Sequence, residues 1–563
     1  MPLASVLRAP AAFRRAAYLI TALALTGRSA HSQAAPRLRD PAPAQIDSVF
    51  SRFASAESPG CIVGVTRAGR MVYQKGYGMS DLERSVPITP ASIFHVASIS
   101  KQFTAAAIML LEQQGKLSID DEVRKYVPEL PDYGRKITLR HLLNHTSGLR
   151  DQWTLLGIAG WREDDLITED DVMWAVTRQK ALNFEPGSEY LYSNTGFTLL
   201  AVIVKRVSGQ SLREFADANI FKPLGMTHTH FHDDHTMLVK NRTSAYQPRQ
   251  GGGYRVSIPV FDTYGATSLF TTVEDLLKWE QNFADARVGG AELLARMQQP
   301  AKLSNGEEIS YALGLTVAKR RGVREVGHSG ADAGYRADVV RYPDQQLAVA
   351  ALCNVSDANP GVLTRRVADL YLGGALAPAP VARQAGGVTL TPAQLEANAG
   401  LYRRSETGEL LRLEVRNGKL VVAGGGTTEL IPLAENRFSV PAQDAEALFA
   451  ATSSGRELRV RPTSGPERVY ARTTAFAPSA VDLKAFEGEY YSDELETTVR
   501  ITATDSGLAL VGRRPGTLNL RPAFTDAFRG GFGVMEFGRD ASGRVSGFTI
   551  RAGRVRALDF RRR

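Results

Sequence analysis

The stretch Phe94-His95-Val96-Ala97-Ser98-Ile99-Ser100-Lys101-Gln102-Phe103-Thr104 decides how the rest of the chain is read. It runs straight into Ala105-Ala106-Ala107-Ile108-Met109-Leu110-Leu111-Glu112. Strong helix formers fill that run, and Phe103, Ala107, Leu110 and Leu111 recur at helical spacing. Gly115 supplies a C-terminal stop. The pattern predicts a buried helix with Ser98 at or just inside its N-terminus and Lys101 one turn on, on the same face. A serine hydroxyl is a poor nucleophile until a base takes its proton. A lysine held close can be that base if burial and nearby positive charge lower its pKa. The helix N-terminus also favours negative charge developing near Ser98. Taken alone, a serine at a helix start is more often only a cap.

The chain has 563 residues, enough for two to four domains, and its 43% hydrophobic and 23% charged residues are those of a globular protein. Residues 1–34 stand apart. They hold Arg8, Arg14, Arg15 and Arg28 but no Asp, Glu or Lys. A mostly apolar run from Ala16 to Leu25 follows, then Ser32-Gln33-Ala34, a small-x-small cleavage site. This reads as a secretory signal peptide, which predicts export to the periplasm or beyond; the run is too short to span a bilayer. No later stretch reaches about 18 consecutive apolar residues, so no membrane span is expected in the mature chain. The net charge of +9 falls to +5 once the four leader arginines are removed, and a charge that small over so long a chain implies no nucleic-acid partner. The two cysteines, Cys61 and Cys353, each sit in an apolar run. An exported compartment permits a disulfide, and two buried thiols are an equal reading.

Residues 35–44 are Pro- and Ala-rich and read as a disordered leader. A helix is expected around Ile46 to Glu57, then a hairpin of Cys61 to Arg67 and Met71 to Tyr77 turned at Ala68-Gly69. From Ser98 to Pro300 the chain reads as helix and loop. Strands return at Arg324 to Val326, Tyr335 to Tyr342 and Leu347 to Leu352, and a helix from Val362 to Leu372 closes the unit. A sheet opened by N-terminal strands and completed by C-terminal ones, with helices between, is one α+β domain over residues 45–376. A Gly-, Ala- and Pro-rich linker at 377–388 follows. Beyond it an internal repeat appears: Leu395-x4-Gly400-x-Tyr402 recurs as Leu483-x4-Gly488-x-Tyr490. Short alternating strands fill both copies, 389–475 and 476–563, so each reads as a small antiparallel β-barrel or sandwich.

Two further motifs carry chemistry. In Tyr190-Leu191-Tyr192-Ser193-Asn194-Thr195-Gly196, Tyr192 and Asn194 fall on one side of an extended loop. A tyrosine beside an ammonium can have its pKa lowered and act as a base. An asparagine can bond a substrate amide and the lysine together. In Val326-Gly327-His328-Ser329-Gly330-Ala331, at a strand end, Gly330 would let a substrate backbone approach a sheet edge. The Ala331 N–H could pair with that of Ser98 as an oxyanion hole. His328 could donate to a substrate oxygen or share a proton with Tyr192. In isolation each motif is more simply a turn with a packed ring and a structural histidine.

Their order changes the reading. Ser98-Ile99-Ser100-Lys101, then Tyr192-Ser193-Asn194, then His328-Ser329-Gly330 resembles the serine hydrolases of the class C β-lactamase and D-Ala-D-Ala peptidase superfamily, the S12 peptidase family, over roughly Gln45 to Leu376. His141-Leu142-Leu143-Asn144-His145-Thr146-Ser147-Gly148-Leu149, Pro223-Leu224-Gly225-Met226 and Thr271-Thr272-Val273-Glu274-Asp275-Leu276 resemble it too. The resemblance implies an α+β, β-lactamase/transpeptidase-like domain: an antiparallel sheet flanked by helices, plus a helical lobe, with the site between. It implies Ser98 as nucleophile, Lys101 and Tyr192 as proton carriers, Asn194 orienting the substrate, and the Ser98 and Ala331 N–H groups holding the oxyanion. It also makes neighbours of the Cys61 and Cys353 strands. Where β-lactamases of this kind carry Lys-Thr-Gly, this chain has His328-Ser329-Gly330, which speaks against efficient β-lactam hydrolysis. That histidine, with two C-terminal lipocalin-like barrels, looks more like the D-stereospecific aminopeptidase branch. There a barrel segment enters the active site; the candidates here are Gly424-Gly425-Gly426 and Arg529-Gly530-Gly531.

The expectation is therefore an exported serine hydrolase that cleaves amide or ester bonds through an acyl-Ser98, on small peptides containing D-amino acids or on peptidoglycan-derived fragments, with no cofactor and, as a further expectation, a homodimer. The alternatives are a β-lactamase, D,D-carboxypeptidase or esterase, and, in another class, an acylatable sensor whose barrels bind a ligand. A separate cluster, Thr227 to His235, holds His228, His230 and His232, which on a strand would share a face and could ligate Zn²⁺; the other reading is a solvated loop.

Overall fold

The runs Cys61–Arg67 and Leu347–Cys353 are apolar nearly throughout, the pattern of strands covered on both faces. They pair antiparallel down the middle of a sheet. In the computed structural model, residues 38–162, 164–378, 388–423, 428–441, 445–453, 455–462, 467–512 and 516–563 are described. The expected signal peptide lies outside them. Among the described residues the sheet has six strands, ordered Thr316–Arg320, Val323–Asp332, Tyr335–Tyr342, Leu347–Cys353, Cys61–Arg67 and Arg70–Tyr77. The register sets Cys61 directly opposite Cys353 with Cα atoms 4.0 Å apart, and the two form a disulfide.

Each face of the sheet has its own cover. Ile46 and Phe50, from the N-terminal helix Pro43–Val49 and its end, pack with Val367 and Leu372 of the Pro360–Leu372 helix on one face. The helical lobe covers the other. There the Val273–Asp285 helix comes so close that a Cβ at Gly64 would fall 2.8 Å from Leu277. The Ser100–Gln113 helix is buried on every side from Ser100 to Leu111, so it runs through the middle of the lobe against the Asn194–Ser208 helix.

Some expectations change. The residues of the leader from Leu38 on are not loose: Arg39 N–H donates to Tyr371 at 2.7 Å, and Asp40 pairs with Arg67. The first helix stops at Val49 and a short 3-10 turn, Ser51–Phe53, replaces its second half. The strand Thr316–Arg320 was not expected; its Lys319 and Arg320 hid a half-exposed edge strand. Residues 379–387 of the expected linker lie outside the described set.

Two closed barrels of eight antiparallel strands follow, from Gly400–Arg403 to Arg468–Thr473 and from Gly488–Ser492 to Val555–Arg562. The repeat has a physical basis. In each copy a short capped helix, Pro392–Asn398 or Ala480–Lys484, buries its leucine, Leu395 or Leu483. Each tyrosine donates its hydroxyl to a carbonyl four residues back, Tyr402 to Asn398 at 3.0 Å and Tyr490 to Phe486 at 2.7 Å. Gly400 and Gly488 take left-handed φ values of 139° and 155°, with an arginine lying where a side chain would go. The interiors are filled, by Phe438, Phe449 and Tyr470 in one and by Phe486, Phe528 and Phe548 in the other.

The second barrel is bolted to the helical lobe. Arg150 and Glu494 form an ion pair with side chains only 2% and 7% exposed, and Arg150 also donates to the Ala557 carbonyl at 3.1 Å. Asn183 bridges to the last hairpin, donating to Arg554 O at 2.9 Å and accepting from Arg556 N at 2.8 Å. The first barrel leans on the second through Arg403 and Glu536 and through Leu410 against Phe524 and Val534.

The disulfide closes a span of 292 residues, so it restricts the unfolded chain strongly. Cys353→Ala is expected to lower the stability of the sheet domain by about 2–4 kcal/mol. The measurement is the denaturant midpoint; reductant should bring the wild type down to the variant and leave the variant unmoved.

Candidate active site

Ser98 lies in a 3-10 turn, Ala97–Ile99, that feeds the Ser100–Gln113 helix. Ala97 holds a left-handed φ of 48°, a strained setting for a residue with a Cβ. The strain is imposed by packing. Strand residue Gly330 is pressed against this turn, and a Cβ there would fall 2.2 Å from Val96 O. Gly330 therefore admits the serine-bearing turn to the sheet; it was expected to admit substrate backbone.

Lys101 is fully buried, and its ammonium reaches three oxygens: Ser98 Oγ at 3.1 Å, Asn194 Oδ1 at 2.9 Å and Ala266 O at 2.6 Å. None is a carboxylate. Burial first, and the nearby Arg554 second, push the Lys101 pKa well below the ordinary lysine range; Asp151 and Asp332 pull the other way. Neutral Lys101 could accept the Ser98 proton directly.

Asn194 opens the Asn194–Ser208 helix, and both its backbone N–H and its Nδ2 donate to Asp151 Oδ2, at 2.8 and 2.9 Å. Its amide is thus turned with oxygen to Lys101. The sequence reading had the Asn194 amide bond the lysine and a substrate amide together; its oxygen does meet Lys101, while Asp151 already holds its nitrogen. Asp151 was missed because a carboxylate that caps the Gln152–Ala159 helix looks like any other cap.

The Tyr192 ring lies under the Lys101 ammonium, 4.8 Å from Nζ to centroid. Its hydroxyl is shut off from solvent beside Ser98. Burial raises the phenol pKa, against the smaller pull of Ser98 and Arg554. The expected lowering is reversed, since desolvation outweighs the neighbouring charges, so Tyr192 rests as a neutral phenol. His145 stacks on it at 4.1 Å and accepts from Ser193 N–H at 3.2 Å; burial and Lys101 keep this imidazole neutral.

His328 is not shared with Tyr192. Its Nε2 meets the Tyr311 hydroxyl at 2.9 Å and its Nδ1 meets Ser329 O at 2.6 Å. The carbonyl fixes the proton on Nδ1, so Nε2 accepts from Tyr311. Burial lowers the His328 pKa to about 4, which makes it a neutral wall. Ala331 is exposed on the same strand. The neighbouring strand stops pairing at Gly327, so residues 328–332 are partnered on one side only and present a free edge.

Ser98, Tyr192, Asn194, His328, Gly330 and Ala331 all line one cavity of about 550 Å³, and Lys101 lies beneath its floor. Its rim includes a residue that the sequence gave no reason to choose, Arg554, on the turn between the last two strands of the second barrel. That turn is the barrel segment that reaches the site. Of the two segments expected there, Gly424-Gly425-Gly426 lies outside the described residues. Arg529-Gly530-Gly531 is a tight strand turn beside Leu518 and does not line the cavity.

The histidine cluster gathers no ligand set from His228, His230 and His232. Among the described residues the His, Cys, Asp or Glu side chains that converge are Asp234 and His235, both exposed, and the half-buried Asp262, none of which lines the cavity. His228 faces Thr227, and His230 and His232 pack on Phe270. No described helix is long and apolar enough to cross a membrane.

Comparison with known proteins agrees with this geometry. The Beta-lactamase family profile matches residues 46–373. The D-aminopeptidase of Brucella canis is 25% identical over 533 residues, covering 90% of this chain and 96% of that protein. That of Brucella anthropi is 26% identical over 534 residues, with the same coverage. Among solved structures, the octameric penicillin-binding protein homologue from Pyrococcus abyssi superposes with a TM-score of 0.55 at 25% identity, over 76% of this chain and 99% of its own. The chain belongs to the beta-lactamase family and is a serine hydrolase of that fold.

Proposed function

We propose that the protein is an exported amide hydrolase that cleaves small peptides, D-amino-acid peptides among them, through an acyl-Ser98 intermediate. One observation carries this reading: a buried lysine amine, bonded only to neutral oxygens, touches the hydroxyl of Ser98, which lines the cavity. Neutral Lys101 takes the Ser98 proton as Oγ attacks the scissile carbonyl. The N–H groups of Ser98 and Ala331 receive the oxyanion. Tyr192, a neutral phenol beside Ser98, hands a proton to the leaving nitrogen and recovers one from Lys101. Water then releases the acyl group by the same path reversed. Support for peptides as substrates comes from the D-aminopeptidase relatives, whose likeness runs through both barrels. Support for export comes from the Cys61–Cys353 disulfide, a bond that persists in oxidising compartments.

Intact-mass spectrometry with D-alanyl amides and activated esters tests the intermediate. A transient adduct is expected on the wild type and none on Ser98→Ala, with turnover reduced on the order of 10⁴-fold or more. An adduct that survives in Ser98→Ala overturns the assignment.

The Lys101 environment fixes a pH dependence. Activity requires the neutral amine, so kcat/KM is expected to rise with pH through an ionisation below the ordinary lysine value of 10.5. Asp151 raises that pKa and Arg554 lowers it. Asp151→Asn should therefore move the rising limb to lower pH and Arg554→Gln to higher pH. Limbs that stay put, or move together, would rule out Lys101 as the base.

A further inference from the structure

We propose that Arg554, carried into the site by the second barrel, binds a free carboxylate on the substrate. The protein would then select short peptides with an ionised C-terminus one residue beyond the scissile bond. This rests on the acyl-Ser98 reading and adds to it what the substrate must carry.

The argument begins with the cavity's charges. Among the described residues three ionised side chains line it: Asp332, Arg336 and Arg554. Two are occupied. Asp332 accepts from Thr267 at 3.0 Å and from His95 Nε2 at 3.2 Å. Arg336 donates from Nη1 to the carbonyls of Ala333 at 2.9 Å and Tyr335 at 2.7 Å. Arg554 is different. Its nearest carboxylate oxygen, Asp151 Oδ2, is 3.8 Å away and already receives two hydrogen bonds from Asn194. Among the described residues its guanidinium donates no hydrogen bond. It lies over the Tyr192 ring at 4.8 Å with its side chain 44% exposed.

A guanidinium carries five donors in a planar fork that matches a carboxylate. Here, among the described residues, that fork makes only a long ion pair with Asp151 and no hydrogen bond, at the rim of the cavity that Ser98 lines. His328 cannot take its place, because burial keeps it neutral and both ring nitrogens are engaged.

The fork is also held in place. Arg554 O accepts from Asp151 N–H at 3.3 Å and from Asn183 Nδ2 at 2.9 Å. Two residues on, Arg556 is paired with Glu189 at 3.1 Å. The turn is pinned on both sides by the lobe that carries Asn194, so the side chain is offered from a fixed backbone and little ordering is needed on binding. A cavity of about 550 Å³ lies within the range of small-ligand sites, which suits a dipeptide better than a long chain.

The test compares D-alanyl-D-alanine with D-alanyl-D-alaninamide on the full-length protein. Wild type is expected to favour the acid at least tenfold in kcat/KM, chiefly through KM. Arg554→Gln should bring the ratio near one, and Arg554→Lys, which keeps the charge and loses the fork, should restore part of it. A wild-type ratio near one overturns the proposal. So does a ratio that Arg554→Gln leaves intact while both rates fall, which would make the arginine a modulator of Lys101 only. If neither peptide is turned over, the acyl-enzyme reading fails and binding decides the rest. Calorimetry on Ser98→Ala should then show the acid binding at least tenfold tighter than the amide, with the difference lost in Ser98→Ala/Arg554→Gln. Equal affinities, or no binding of either peptide, overturn the proposal.

Discussion

A single desolvated amine organises the site. The Lys101 ammonium sits where water cannot reach it, and a cation there survives only with oxygens arranged around it. The surrounding structure supplies those oxygens without supplying a full counter-charge. Asn194 is turned by Asp151 so that its carbonyl, and not its amine, faces Nζ. The Ala266 backbone contributes a second acceptor and Ser98 the third. Asp151 is thus close enough to tune the lysine and is kept from neutralising it by an intervening amide. A direct Asp–Lys contact would raise the amine's pKa and remove the base.

The barrels extend that electrostatic arrangement. Their filled interiors make them rigid bodies and not ligand cups, which removes the main structural attraction of the sensor reading. The first barrel touches the second, and the second touches the site. What reaches the cavity is one turn of two residues, set at the end of the last hairpin and fixed by hydrogen bonds to Asp151 and Asn183. One scaffold therefore holds the chemistry in the lobe and sheet, and another presents the cation.

Much of this was legible in the sequence where the signal is local. Ser98 and Lys101 one turn apart, the apolar strand runs at Cys61 and Leu347, and the doubled Leu-x4-Gly-x-Tyr all follow from spacing within a few residues, whereas the pairing of those two strands came only with the family resemblance. The failures come from long-range burial. Tyr192 was expected to be acidified by a neighbouring cation, yet the depth at which it lies reverses the sign. His328 was expected to face the substrate, yet Tyr311 and its own strand carbonyl take both nitrogens. Arg554 gave no signal at all, because an arginine after a glycine in a hairpin turn is the commonest of surface patterns. Only the packing of the barrel against Asn183, 371 residues upstream of Arg554, makes it part of the site.

The Arg150–Glu494 pair has a consequence for modularity. Each partner is nearly shut off from solvent by the other's domain. Deleting the last barrel would remove Glu494 and the Ala557 carbonyl from Arg150 and open to water the lobe surface beside the segment that holds Asn194. The two halves are thus not interchangeable parts joined by a tether. The hydrolase unit has ceded part of its own foldability to its appendage, so a lineage carrying this pair can refine the appendage but cannot readily shed it.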